Sequence, residues 1–375
     1  MQICFAAPAS VAQLVEHVFR KDGVVSSILT AGSNMLDKKK KIYEGEDAIR
    51  SFLLPSNFGL TSIVELPKSL NPYKADKVRI FVKLVHSAPL GNIKSLPSYV
   101  MLKNIPEKDR KKIKNLVEYS SGNAALSLTI LSQYFGIPKM HAIITPDVPE
   151  HKKKLLQLVG TNLLISHGSP CPGVFDTEGG IYDAKMLGKK SGWYNLNQYI
   201  NPGSMEASAF YVGKELWYQF GKKLSIFVAS MGTAGTITGA SEYLKKKKPS
   251  IKVIGTAIKK GSAIPGPRGE VEIHKLGIDW KNVVDEVVPV DSKSAFLKSL
   301  ELVRLGIFVG PSTGMQLAAI LEKLKEYKKK NLLKNLRNKD GEVICCFLAC
   351  DSMVPYVDDY FSNLPKSFFP KIKNL

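Results

Sequence analysis

No apolar run in the 375-residue chain reaches the roughly 18 residues that a membrane-spanning helix needs, because Lys, Glu or Gly interrupts each one. No membrane partner is therefore expected. Cysteine is scarce: five residues, in no zinc-ligand spacing and no disulfide framework. Cys345, Cys346 and Cys350 gather at the apolar run Val343 to Ala349, which reads as a buried strand, so all three are expected to be core thiols. The six histidines are scattered, without an H-E-x-x-H or comparable cluster, and no metal site is expected. A reducing, cytoplasmic compartment fits this composition. Acidic residues are also short, with 33 Asp and Glu against 53 Lys and Arg, a net charge of +20. Much of the excess sits in the runs Lys38 to Lys41, Lys152 to Lys154, Lys245 to Lys248 and Lys328 to Lys330. Nucleic-acid binding calls for a basic patch on one face. These runs are scattered, lack interleaved aromatics and follow apolar helical periods, so they read as solvated helix ends and loops. No nucleic-acid partner is expected, although a basic surface helps to recruit anionic substrates.

The first 34 residues stand apart. Met1 to Ala9 lacks the basic start and clean apolar core of a signal peptide. Val11 to Ser33 is similar to translated transfer-RNA gene sequence, and Met35 offers an alternative start. Residues 1–34 are read as a disordered or non-native extension.

What remains is long enough for two α/β lobes, and 44% hydrophobic residues suit a globular enzyme. From Lys77 onward, short β-rich runs alternate with helical ones. Strands are expected at Val78 to Val85, Leu116 to Tyr119, Met140 to Thr145, Asn162 to Ser166, Leu224 to Ala229, Ile251 to Ala257, Glu286 to Val290, Ile307 to Val309 and Glu342 to Ala349. Helices are expected at Asn123 to Phe135, Pro149 to Val159, Met205 to Phe220, Thr236 to Lys246, Ser294 to Leu305 and Gln316 to Tyr327. This alternation predicts an α/β fold with parallel-rich sheets flanked by helices. In such folds ligands sit on the loops at the carboxyl ends of strands.

Four such loops carry the candidate chemistry. Pro89 to Lys94 ends in a lysine that is surface decoration unless burial or a neighbouring cation strips its proton. Ser120, Ser121, Gly122 and Asn123 precede an apolar helix; they read either as an ordinary helix cap or as a cradle for a carboxylate, and the sequence does not separate the two. Ser230 to Thr236 is rich in small residues between a strand and a helix, so its N–H groups can converge on a phosphate. It is neither a Walker A loop nor a G-x-G-x-x-G fingerprint. Gly310 to Gly314 fits the G-x-S-x-G nucleophile elbow, but the last histidine, His274, precedes Ser312, whereas the elbow's histidine follows its serine.

Together these loops resemble the fold type II enzymes that use pyridoxal 5′-phosphate, in the cysteine synthase and cystathionine β-synthase branch, over roughly Glu44 to Phe361. Lys83-Leu84 with Pro89 to Lys94 resembles K-L-E…N-P-x-G-S-x-K, which implies that Lys94 is the Schiff-base lysine. Ser120 to Asn123 is similar to T-S-G-N, which implies that Asn123 contacts the cofactor's phenolic oxygen and that Ser120, Ser121, Gly122 and Ala124 face the substrate. Gln198-Tyr199 with Asn201-Pro202 resembles a segment whose glutamine faces the substrate carboxylate. Gly232, Thr233, Ala234, Gly235 and Thr236 resemble the G-T-G-G-T phosphate cup, and Ser312 matches the serine at the pyridine nitrogen.

The resemblance implies β-elimination from an activated serine such as O-acetylserine, then addition of sulfide to give cysteine, in a homodimer. It leaves cystathionine formation, desulfhydrase or dehydratase activity, or a pseudoenzyme acting through protein contacts as alternatives. It also implies a large cofactor-binding domain (44–87 and 202–375) and a small mobile one (88–201). Three departures stand out. Ala124 replaces a threonine, removing a hydroxyl worth ~1 kcal/mol. Ser95-Leu96 replaces an Asp-Arg or Cys-Arg pair. Ala234 replaces a glycine, which is acceptable where no positive φ is needed.

Overall fold

The computed structural model describes residues 42–372. Residues 1–34 and the Lys38 to Lys41 run lie outside the described residues. Of the amino-terminal unit, which ends at Ile49, only a turn leading into a helix at Ala48 is described. Arg50 onward forms the second unit.

That unit is built on two sheets. The first takes its strands from both ends of the chain: β1 (Ile63–Glu65), β2 (Val78–Lys83), β7 (Leu224–Ser230), β8 (Lys252–Ile258), β9 (Glu286–Val290) and β10 (Val343–Leu348), in the order β1-β2-β10-β7-β8-β9. Only β1 runs antiparallel to its neighbour. The second sheet is all parallel and comes from the middle of the chain: β3 (Asn115–Tyr119), β4 (Lys139–Ile144), β5 (Asn162–Ile165) and β6 (Trp193–Asn195), in the order β5-β4-β3-β6. β7 and β10 read as continuous apolar runs because helices cover both faces of their sheet.

Among the helices, α1 (Ser95–Lys103) and α2 (Asn123–Gln133) flank the smaller sheet's entry, and α3 (Pro202–Ser208), α4 (Glu215–Phe220), α5 (Gly235–Lys247), α6 (Ser292–Arg304), α7 (Pro311–Lys329) and α8 (Val357–Asn363) follow. α1, β1 and β6 are not legible in the sequence: α1 carries Pro97, and the two strands are three residues each. Met205 to Phe220, expected as one helix, contains a π-helical stretch, Ala209–Lys214, between α3 and α4. Ile307 to Val309 is not a strand. The Val309 carbonyl is taken instead by the Ser299 and Tyr360 hydroxyls, at 2.8 and 3.0 Å, so no ladder bond remains for it.

One buried ion pair ties β2 into this frame. Lys83 is 0% exposed, and its Nζ donates to Glu215 Oε2 at 2.7 Å and to Gln219 Oε1 at 2.8 Å. Burial lowers the Lys83 pKa despite the Glu215 charge beside it.

Candidate active site

The carboxyl ends of β3, β7 and β10, the turn after β2 and the start of α7 converge on one cleft of about 1060 Å³. Lys94, Ser120, Ser121, Gly122, Asn123, Ala124, Gln198, Gly232, Thr233, Ala234, Thr236 and Ser312 all line it. Gly235 is not on the lining; its α-carbon packs so closely on Ser204 of α3 that a Cβ would lie 2.1 Å from the serine hydroxyl.

Lys94 immediately precedes α1, three residues beyond the Pro89 to Gly91 turn, where Leu90 holds a left-handed backbone with φ 69°. Its amine lies 3.4 Å from Thr233 Oγ1. Burial lowers its pKa, and the nearby Cys350 and Glu118 only partly oppose that. A lysine that reads as surface in the sequence is therefore biased toward the neutral, nucleophilic amine.

The loop after β7 turns sharply into α5. Ala234 adopts φ 64°, ψ −6° directly before the helix. Positive φ is thus needed where Ala stands, and the condition under which alanine is harmless is not met; the cost is about 1 kcal/mol. A Cβ on Gly232 would come within 2.8 Å of the Gly266 carbonyl, so only glycine lets the loop 264–268 cross over it.

The N-cap position of α2 is Gly122, which has no side chain to cap with; Ser120, two residues earlier, caps from outside the helix, its Oγ accepting from Gly122 N at 3.4 Å and Ala125 N at 3.3 Å. The cap and the cleft lining coexist in one loop, which is why the sequence could not choose between them. Behind it, burial pushes the Glu118 carboxyl up to about 8, although the backbone N–H groups of Gln198, Asn197 and Tyr119 pull it down. Gln198 Nε2 donates to the Tyr119 carbonyl at 3.3 Å.

Cys350 corrects its expected place. It falls beyond the end of β10, is half-buried and lines the cleft, with Gln316 Nε2 at 3.3 Å and the Ser230 and Ser312 hydroxyls beside it. Burial pushes its thiol up to about 11, so it stays protonated. Cys345 and Cys346 are core thiols as expected.

Asp351 and Tyr356 were not singled out by sequence, although Asp351 stands at the carboxyl end of the last strand, where the strand-end rule points. Asp351 Oδ2 accepts from Asn123 Nδ2 and from the Tyr356 hydroxyl, both at 2.6 Å. Its Oδ1 is buried without a hydrogen-bond partner. Burial raises its pKa to about 6 against both hydrogen bonds. No group of His, Cys, Asp and Glu able to hold a metal ion occurs among the described residues, and no described helix is long and apolar enough to cross a membrane.

The two parallel-rich sheets, with a lysine and a small-residue cup at their strand ends, define an α/β enzyme class with a cofactor cleft. The family model described as pyridoxal-phosphate dependent enzyme matches residues 55–336, and the chain belongs to that family. It is 30% identical over 279 residues to a cysteine synthase of Aquifex aeolicus, covering 72% of this chain and 83% of that protein. It is 28% identical to cysteine synthase B of Escherichia coli, covering 72% and 88%. The fold superposes on O-acetyl serine sulfhydrylase isoform 3 from Entamoeba histolytica with a TM-score of 0.68 at 24% identity, covering 88% of this chain and 94% of that one. It also superposes on an O-ureido-L-serine synthase, with a TM-score of 0.66 at 22% identity, covering 83% and 95%. The fold is that of the fold type II enzymes.

The residues present fit pyridoxal phosphate. The left-handed turn at Ala234 and the glycine at 232 leave a cradle that side chains would fill, at the positive end of the 13-residue α5. The Lys94 amine stands beside that cradle, and the Ser312 hydroxyl lines the same cleft.

Proposed function

We propose that this enzyme carries out β-replacement on an activated serine such as O-acetylserine, with sulfide as nucleophile and cysteine as product. The observation that carries the reading is the Lys94 amine, biased to its neutral form by burial and 3.4 Å from the threonine of the Gly232 to Thr236 cup.

In this reading the cup from Gly232 to Thr236 holds the cofactor phosphate, Asn123 faces the cofactor's phenolic oxygen and Ser312 its ring nitrogen. Bound there, pyridoxal phosphate supplies an electron sink for negative charge at the substrate Cα. Lys94 anchors the cofactor and then moves the proton at that carbon. Ser312 offers a neutral hydroxyl rather than a carboxylate, so it orients without adding charge. Ser120 to Ala124 and Gln198 hold the substrate α-carboxylate, with one hydroxyl fewer at Ala124. The smaller sheet and its helices form the mobile substrate-binding part, and two chains form a homodimer.

The test is a visible absorption spectrum of the purified holoenzyme beside Lys94→Ala, followed by cysteine formation from O-acetylserine and sulfide. A lysine-bound cofactor band that vanishes in the variant, together with cysteine as product, is the expected result. Absence of that band from the parent protein sinks the reading.

A further inference from the structure

Glu118 is a buried acid that the chemistry above does not use. It stands next to last in β3, is 1% exposed, and meets the turn that joins β6 to α3. Its Oε2 accepts from Gln198 N at 3.4 Å, and the N–H groups of Asn197 and Tyr119 act on the same carboxyl. The turn needs that hold. Asn197 carries a left-handed backbone with φ 53°, and no described backbone carbonyl accepts from Asn197 N or Gln198 N. The next residue of β3 fixes the other end of Gln198, because the Tyr119 carbonyl accepts from its Nε2 at 3.3 Å. Consecutive residues of one strand thus hold both the backbone and the amide of the glutamine. Its Oε1 and second Nε2 hydrogen are left for the cleft that it lines.

A hydroxyl or a water fastens a turn at less desolvation cost than a carboxyl does. Beside a carboxylate site, a buried acid is harmless only while it keeps its proton. Burial raises the Glu118 pKa to about 8, so near neutrality it accepts N–H bonds without placing a negative charge next to the substrate. Lys94 and Tyr199 are the titratable groups that share its surroundings. We infer that Glu118 is a positioning residue for the substrate α-carboxylate: its uncharged carboxyl clamps the Asn197–Gln198 turn so that the Gln198 amide faces that group. The inference rests on the reading that Gln198 holds the substrate carboxylate.

Calorimetry on the holoenzyme tests it with L-alanine, which has no leaving group, and L-alaninamide, which has no carboxylate. Glu118→Ala is expected to weaken alanine about tenfold and to change alaninamide less than about twofold. In a Gln198→Ala background the same substitution is expected to add less than about twofold, because Glu118 acts through that glutamine. Glu118→Gln keeps an accepting oxygen and cannot ionise. It is expected to bind alanine as the parent does at about pH 7, and about fivefold tighter than the parent at about pH 9. Equal losses of alanine and alaninamide in Glu118→Ala, no loss of alanine, or an undiminished loss on top of Gln198→Ala overturns the inference. Should Glu118→Ala not fold, the pH comparison decides: equal alanine affinities of Glu118→Gln and the parent at both pH values overturn it. Alanine binding untouched by Gln198→Ala strikes instead at the assignment of Gln198 to the substrate carboxylate.

Discussion

Asn123 and Asp351, 228 residues apart in the chain, meet in the cleft with Asn123 Nδ2 donating to Asp351 Oδ2 at 2.6 Å. The first residue of α2 is thereby joined to the segment that follows β10, and Tyr356 closes on the same carboxylate oxygen. The side chain assigned to the cofactor's phenolic oxygen is thus oriented by a carboxylate from the distant end of the sequence.

That carboxylate sets a pH dependence. Burial raises the Asp351 pKa from the ordinary 3.8 to about 6. Between those values the folded protein holds a proton that the unfolded chain has released, so the contribution of Asp351 to stability falls as pH rises through the window. Asp351→Asn removes this term. Urea unfolding is expected to show the variant gaining on the parent by up to about 3 kcal/mol between about pH 4 and 7. A difference that does not change with pH contradicts it.

Lys94 behaves in the opposite sense. Its pKa is lowered by burial, so without cofactor the unfolded chain binds a proton that the folded one does not, and stability rises with pH toward 10.5. Lys94→Met is expected to flatten that rise in thermal unfolding of the apoprotein. Turnover of the holoenzyme variant is expected to fall by roughly 10²-fold or more.

The Lys83–Glu215 pair is a matter of stability alone. Removing the cation leaves Glu215, Gln219 and the Thr61 carbonyl facing a void. Lys83→Ala is expected to cost about 3–5 kcal/mol in chemical denaturation, with the cofactor band retained at low temperature. A loss under about 1 kcal/mol would show that water repairs the site.

Ala234 is a place where the protein can be improved. Ala234→Gly relieves the left-handed backbone and is expected to stabilise by about 1 kcal/mol, read as a higher melting temperature. Gly232→Ala is the contrary case. Its Cβ meets the Gly266 carbonyl, so the variant is expected to displace the loop 264–268 and weaken cofactor retention on dialysis.

Much of this site was legible before any coordinates. The β7–α5 and β3–α2 loops announce themselves because small residues between an apolar run and a helical period are a local signal. Cys350 misled because it follows the apolar run directly, and two residues past the end of β10 at Leu348 are enough to move a thiol from core to cleft. Val309 misled because side-chain hydroxyls from α6 and α8 replaced the neighbouring strand that an apolar run normally implies. Asp351 carries no local signature. Its importance lies in what is opposite it, Asn123 and Tyr356.

The alternation of the longer strands and helices and the small-residue loop at Gly232 to Thr236 were determined by the sequence itself, since each rests on patterns within a few residues, and Lys94 was singled out by the resemblance of its segment to a known family. The lowered pKa of Lys94, the Asn123–Asp351 bond and the positive φ at Ala234 were decided only in three dimensions. Burial and electrostatic pairing depend on groups that lie up to hundreds of residues away in the chain and become neighbours only when both sheets have formed.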